Sequence, residues 1–122
     1  MLTSGGAAFQ ELCWTADELT YCDGSTPRLA ARWAAKEAAM KALGRGIGDL
    51  APTDIEVTGV EGHPPSLRLR GSALALAQEQ QVDLALSMSH EQGLAIAFVI
   101  ATPRSMGACG RCELEGGHVG TE

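Results

Sequence analysis

Between Pro27 and Leu43 the chain runs without an internal glycine or a β-branched residue and is rich in alanine. Leu29, Trp33, Met40 and Leu43 recur along it at steps of four, seven and three, which puts one apolar stripe on a helix. The spacing predicts a helix over 27–43, a rod of about 25 Å, stopped by Gly44. Upstream, Thr15-Ala16-Asp17-Glu18 has the form of a capping box and predicts a short helix to about Cys22. Asp23-Gly24-Ser25-Thr26-Pro27 is turn chemistry between the two.

Downstream the period changes. Asp54–Val60 and Ser66–Arg70 alternate as strands do, around the turn Gly62-His63-Pro64-Pro65. Gly71–Gln81 predicts a further helix. Leu84–Ser89 alternates again, His90-Glu91-Gln92-Gly93 predicts a hairpin bend, and the apolar run Leu94–Ala101 predicts a strand buried on both faces. Helices combined with antiparallel strand pairs make an α+β domain, a long central helix packed on a small antiparallel sheet. There is no internal repeat.

The 122 residues, 45% of them hydrophobic, suffice for one core. The pattern divides them into a lead-in at 1–8, a domain at 9–102 and a glycine- and cysteine-containing tail at 103–122. The run Leu94–Ala101 is far short of a membrane span, and MLTSGGAAFQ carries neither a basic nor an apolar signal region. The expected setting is therefore the cytoplasm, without a membrane partner.

A formal net charge of −6 argues against a nucleic-acid partner. That average conceals an island: Arg28, Arg32, Lys36, Lys41 and Arg45, with Glu37 as the one acid among them, give +4 over residues 28–45 while the rest carries −10. A cationic patch on an acidic chain suits a small or local anion.

Arg28, Arg32 and Lys36 stand at i, i+4 and i+8, either as a solvated face or as a clamp for phosphate. Glu37 and Lys41 are spaced for a surface ion pair, or for a carboxylate that holds a divalent cation beside an ammonium that reaches phosphate. Gly44, Gly46 and Gly48 would let a phosphate approach the backbone, although they follow the helix and so form no Walker loop. Ser89 and His90 point apart on an extended strand, which excludes a serine-hydrolase pair. Cys109, Cys112 and His118 offer three zinc ligands where a structural site takes four.

Several of these segments together resemble the holo-acyl-carrier-protein synthase family of 4′-phosphopantetheinyl transferases. The resemblance runs through Phe9-Gln10-Glu11-Leu12, Thr15–Cys22, the signature helix from Arg32 to Gly46, Asp54-Ile55-Glu56-Val57, Gly62-His63-Pro64 and Leu86–His90, in order, over about three-quarters of the chain. It implies the family's fold and a magnesium-dependent transfer of 4′-phosphopantetheine from coenzyme A to a serine of an acyl carrier protein. It also implies a homotrimer with active sites between subunits. Glu37 matches the magnesium-binding glutamate, which is also a candidate for activating the serine. Lys41 matches the lysine at the phosphates. Arg32, Lys36, Gly46, Pro64 and His90 match positions lining the coenzyme A site.

The family also opens with a strand bearing a second magnesium-binding aspartate, followed by a basic helix that meets the carrier. MLTSGGAA stands in their place, with no acid before Glu11. The expectation is an active transferase, impaired by the missing aspartate. The alternative is a truncated or inactive member that binds coenzyme A without catalysis.

Overall fold

The computed structural model describes residues 6–59 and 62–104, in backbone only at 6, 7 and 90. Cys109, Cys112 and His118 lie outside them. Among the described residues four helices and four strands follow one another as α1 (Gly6–Cys13), α2 (Ala16–Cys22), α3 (Thr26–Ala42), a 3₁₀ turn (Pro52–Asp54), β1 (Ile55–Thr58), β2 (Ser66–Leu69), α4 (Gly71–Gln80), β3 (Val82–Glu91) and β4 (Leu94–Pro103). The α+β architecture is as expected, though helix already begins at Gly6, inside the stretch assigned to a lead-in.

Local chemistry sets the helix limits. The Thr15 hydroxyl accepts from Glu18 N while Glu18 reaches back to Thr15 N, the predicted capping box. Ser25 caps α3, and Pro27 sits in its first turn, where no backbone N–H is missed. Gly44, at φ +79°, takes the left-handed conformation just beyond the end of α3. Gly71 opens α4 at φ +54°, where a Cβ would meet Asp54 Oδ2 at 2.6 Å. That carboxylate accepts from both Ser72 N (3.0 Å) and Ser72 Oγ (2.8 Å), so it has no freedom to withdraw.

β1 pairs antiparallel with β2 and β3 with β4, as two separate ribbons. The second is longer than its sequence suggests. His90 and Glu91 belong to β3, and the bend is the two-residue loop Gln92-Gly93, both at positive φ, as a type I′ turn requires. A tight turn of that twist lets pairing continue to Glu91 opposite Leu94.

The core lies on either side of α3. Ala39, Met40 and Leu43 meet Leu50, Ile55, Ala73, Leu76 and Ala77. At the other end Leu29 meets Cys13, Trp14 and Cys22. The Trp14 indole donates to Leu29 O (3.2 Å) and stands edge-on to Phe9 and Trp33, with ring centroids 6.5 and 6.1 Å away. Midway, Ala35 packs with Val57 and Leu86, its small side chain letting strands approach the helix.

One expectation of burial fails. β4 is not covered on both faces: Leu94, Ile96, Phe98 and Ile100 are 45–67% exposed, because α3 covers one face of the ribbon only. Within β1 Glu56 is 2% exposed between buried Ile55 and Val57, held by Thr15 and Arg70 on that side of the strand. No helix of the described residues is long and apolar enough to cross a membrane.

Candidate active site

The signature helix divides the candidate residues between its two sides. Arg32 and Lys36, one turn apart, both face inward and are 6% and 0% exposed. The reading of Arg28, Arg32 and Lys36 as one exposed cationic stripe is therefore corrected. Leu29, Met40 and Leu43 draw this side of α3 into the core, and the two cations go with it. Glu37 is about 100° further around the helix; it is half-buried, and Lys41, one turn on, is exposed. Among the described residues neither makes an ion pair or a side-chain hydrogen bond, so the spacing does not produce the surface pair.

Lys36 has no proton left for a ligand. Its Nζ lies 2.8 Å from Glu18 Oε1 and donates to Pro52 O (2.9 Å) and Ile55 O (2.5 Å), three acceptors for three N–H bonds. Burial lowers its pKa, and the adjacent Glu18 carboxylate opposes that shift. Glu18 is equally engaged: besides Thr15 N at 2.9 Å it accepts from Val57 N at 2.7 Å.

Arg32 is different. Its guanidinium lies over the Tyr21 ring, 4.4 Å from the centroid, with Arg28 over the same ring at 5.3 Å. Its Nε is buried and has no acceptor. Such a group costs free energy unless something supplies the missing oxygen. Arg32 also lines a cleft of about 380 Å³, together with Asp17, Thr20, Tyr21, Glu56 and Arg68, among others. Glu56, which also lines it, accepts from Thr15 Oγ1 (2.6 Å) and Arg70 (2.9 Å), with Arg68 at 3.4 Å.

The remaining candidates sit on loops and at a hairpin end. Gly46 follows α3, with its N–H donated to Asp49 Oδ2 at 2.9 Å. Pro64 is exposed between β1 and β2, and His90 lies near the tip of the β3–β4 ribbon, its side chain outside the description. Tyr21, Glu18 and Arg68 were not singled out as site residues. Tyr21 stands seven residues before Arg28, in a helix that nothing in the sequence orients against α3.

The profile of the 4′-phosphopantetheinyl transferase superfamily matches residues 2–99. A holo-[acyl-carrier-protein] synthase of Herpetosiphon aurantiacus is 44% identical over 103 residues, which cover 78% of this chain and 81% of that one. The chain belongs to the holo-acyl-carrier-protein synthase family.

Solved members of the family share the fold. The Helicobacter pylori holo-[acyl-carrier-protein] synthase in complex with coenzyme A superposes with a TM-score of 0.68 at 30% identity, covering 78% of this chain and 82% of that one. A Chronobacterium ammoniagenes complex with coenzyme A gives 0.73 at 30% identity, over 85% and 87%. The family assignment made on Arg32–Gly46 and its flanking segments is thereby met.

Proposed function

We propose that this chain transfers 4′-phosphopantetheine from coenzyme A to a serine hydroxyl of an apo-acyl carrier protein and releases adenosine 3′,5′-bisphosphate. The observation that carries the reading is the outer flank of α3. There Glu37 and Lys41 stand one turn apart, free of partners among the described residues, and run straight into the glycine-containing loop that holds Gly46. The names of the relatives, and coenzyme A in two solved members of the family, support the same chemistry.

In this reading the serine oxygen attacks the pantetheine-bearing phosphorus and the diphosphate bridge breaks. The serine proton leaves by way of the Glu37 carboxylate, directly or through water. Lys41 neutralises charge on the departing phosphate, where a preformed cation is worth most. Arg32, which lines the cleft with its guanidinium held over Tyr21, supplies a fixed cation to a phosphate of coenzyme A. Gly46, Pro64 and His90 contribute loop and hairpin walls to that ligand.

Magnesium belongs to the proposal with Glu37 as its protein ligand. No cluster of three His, Cys, Asp or Glu side chains that could hold a metal occurs among the described residues. One carboxylate nevertheless fits this ion, which usually takes one or two together with phosphate oxygens and waters. Bound there, it would screen the diphosphate charge.

The apolar stripe Leu94, Ile96, Phe98 and Ile100 supports a further part of the proposal, a homotrimer that covers β4. Mass spectrometry of apo-acyl carrier protein incubated with the chain, coenzyme A and magnesium tests the function: the carrier gains one phosphopantetheine. Coenzyme A binding that is indifferent to magnesium, with the carrier unmodified, would instead indicate a non-catalytic binding module.

A further inference from the structure

We infer that Glu18 and Lys36 form a positioning pair for the reaction: without touching substrate, they set where Glu37 and Lys41 stand. The inference rests on the transfer proposed above and adds Glu18, on a different helix, to the residues that reaction needs.

The geometry is a five-contact bolt through three elements. From α2, Glu18 holds Thr15 N, Val57 N of β1 and Lys36 Nζ of α3. From α3, Lys36 holds two carbonyls, of Pro52 and Ile55, at the entrance to β1. Both side chains are 0% exposed, so no solvent competes for these bonds. Apolar contacts elsewhere on α3 resist separation of the helix from the sheet but define its rotation loosely. Directed hydrogen bonds to a carboxylate and to two carbonyls define rotation and axial height together.

Lys36 and Glu37 are joined by one peptide bond, in an α-helix that is unbroken from Thr26 to Ala42. Fixing Lys36 therefore fixes the azimuth of Glu37, and that of Lys41 one turn later. As a source of stability, a buried ion pair is no better than a well-packed apolar pair of the same volume. What it supplies here is direction, and phosphoryl transfer depends steeply on direction.

The test compares four full-length proteins: wild type, Glu18→Gln, the double variant Glu18→Gln/Lys36→Met, and Leu29→Ala. The last loosens the same helix at its buried face two turns away from the pair. Each is assayed at a temperature where circular dichroism shows it folded. Turnover, the KM for coenzyme A and the magnesium concentration for half-maximal rate are measured, and calorimetry reads coenzyme A binding with and without magnesium.

For Glu18→Gln and the double variant, turnover falls and the magnesium requirement rises, each by about tenfold to a hundredfold. Calorimetry shows the tightening of coenzyme A binding by magnesium diminished in both. Leu29→Ala, when folded, keeps wild-type turnover and magnesium requirement. If Glu18→Gln does not fold, the double variant, which buries no unpaired charge, decides. The inference is overturned if the folded double variant matches wild type in turnover and magnesium requirement, or if Leu29→Ala loses them equally. A wild-type protein that leaves the carrier unmodified overturns the transferase reading itself, a result distinct from either.

Discussion

Lys36 Nζ and Glu18 Oε1 lie 2.8 Å apart with both side chains wholly out of water. This contact joins the capped start of α2 to the middle of the signature helix, beside the residue on which the proposed chemistry depends. A pair so placed is hard to break on one side only. Replacing Glu18 by Gln leaves a buried ammonium without its counter-charge and is expected to cost about 3–5 kcal/mol of unfolding free energy. Neutralising both partners recovers most of that loss. Urea denaturation of the two variants measures both numbers.

Glu37 and Lys41 should behave in the opposite way. They stand on the outer flank of α3 without partners among the described residues, so Glu37→Gln and Lys41→Ala are expected to change stability by no more than about 0.5 kcal/mol. Their effect falls on turnover, which drops by about 10²–10³ for each. Thermal melts alongside carrier-modification rates separate the two quantities. If magnesium is bound as proposed, its removal with a chelator is expected to abolish the wild-type rate, which the same assay checks.

The outward face of β4 carries Phe98 and Ile100 at 67% and 60% exposure. Placing Asp at either position buries no charge in the isolated chain, so the subunit stays folded. It does charge the surface proposed to meet neighbouring copies. For the proposed trimer, analytical ultracentrifugation of wild type is expected to give three times the 12.7 kDa chain mass, and Phe98→Asp or Ile100→Asp is expected to shift it toward one. A wild type already at the mass of one chain would refute the trimer.

Cys13 and Cys22 are buried free thiols whose pKa values desolvation pushes above the ordinary thiol value. Two consequences follow from the sign of that shift. Native protein at neutral pH resists alkylation at both positions and reacts fully in urea, as peptide mapping will show. Between the ordinary thiol pKa and the raised one, the unfolded chain loses protons that the folded chain keeps. Stability therefore declines as pH climbs through that window, and less steeply in Cys22→Ala.

Much of the fold was legible. The capping box at Thr15 and Glu18, the long helix ended by Gly44, the helix from Gly71 and the two strand pairs all follow from local chemistry, and local chemistry is what a sequence displays. Burial was less legible, because it depends on what another element covers. Glu56 alternates with Ile55 and Val57 as a solvent-facing residue would, yet Thr15, Arg68 and Arg70 close over it. The run Leu94–Ala101 has the composition of a doubly buried strand, yet α3 supplies cover for one side only.

The site divides along the same line. That Glu37 and Lys41 stand one turn apart was readable because their spacing is a property of one helix. Arg32 and Lys36 share an equally regular spacing, but whether it faces water or core is decided by Leu29, Met40 and Leu43 beside them. The role of Glu18 lay hidden behind its capping function, since a carboxylate has two oxygens and only one is needed for the cap. The second reaches Val57 N, thirty-nine residues away.

The most direct measurement is the mass of an apo-acyl carrier protein after incubation with coenzyme A, magnesium and either the wild-type chain or Glu37→Gln. A single phosphopantetheine added at the carrier's serine by wild type, and almost none by the variant, is the expected result. A carrier left unmodified by folded wild-type protein at every magnesium concentration, or modified equally by both proteins, would contradict a transfer centred on α3.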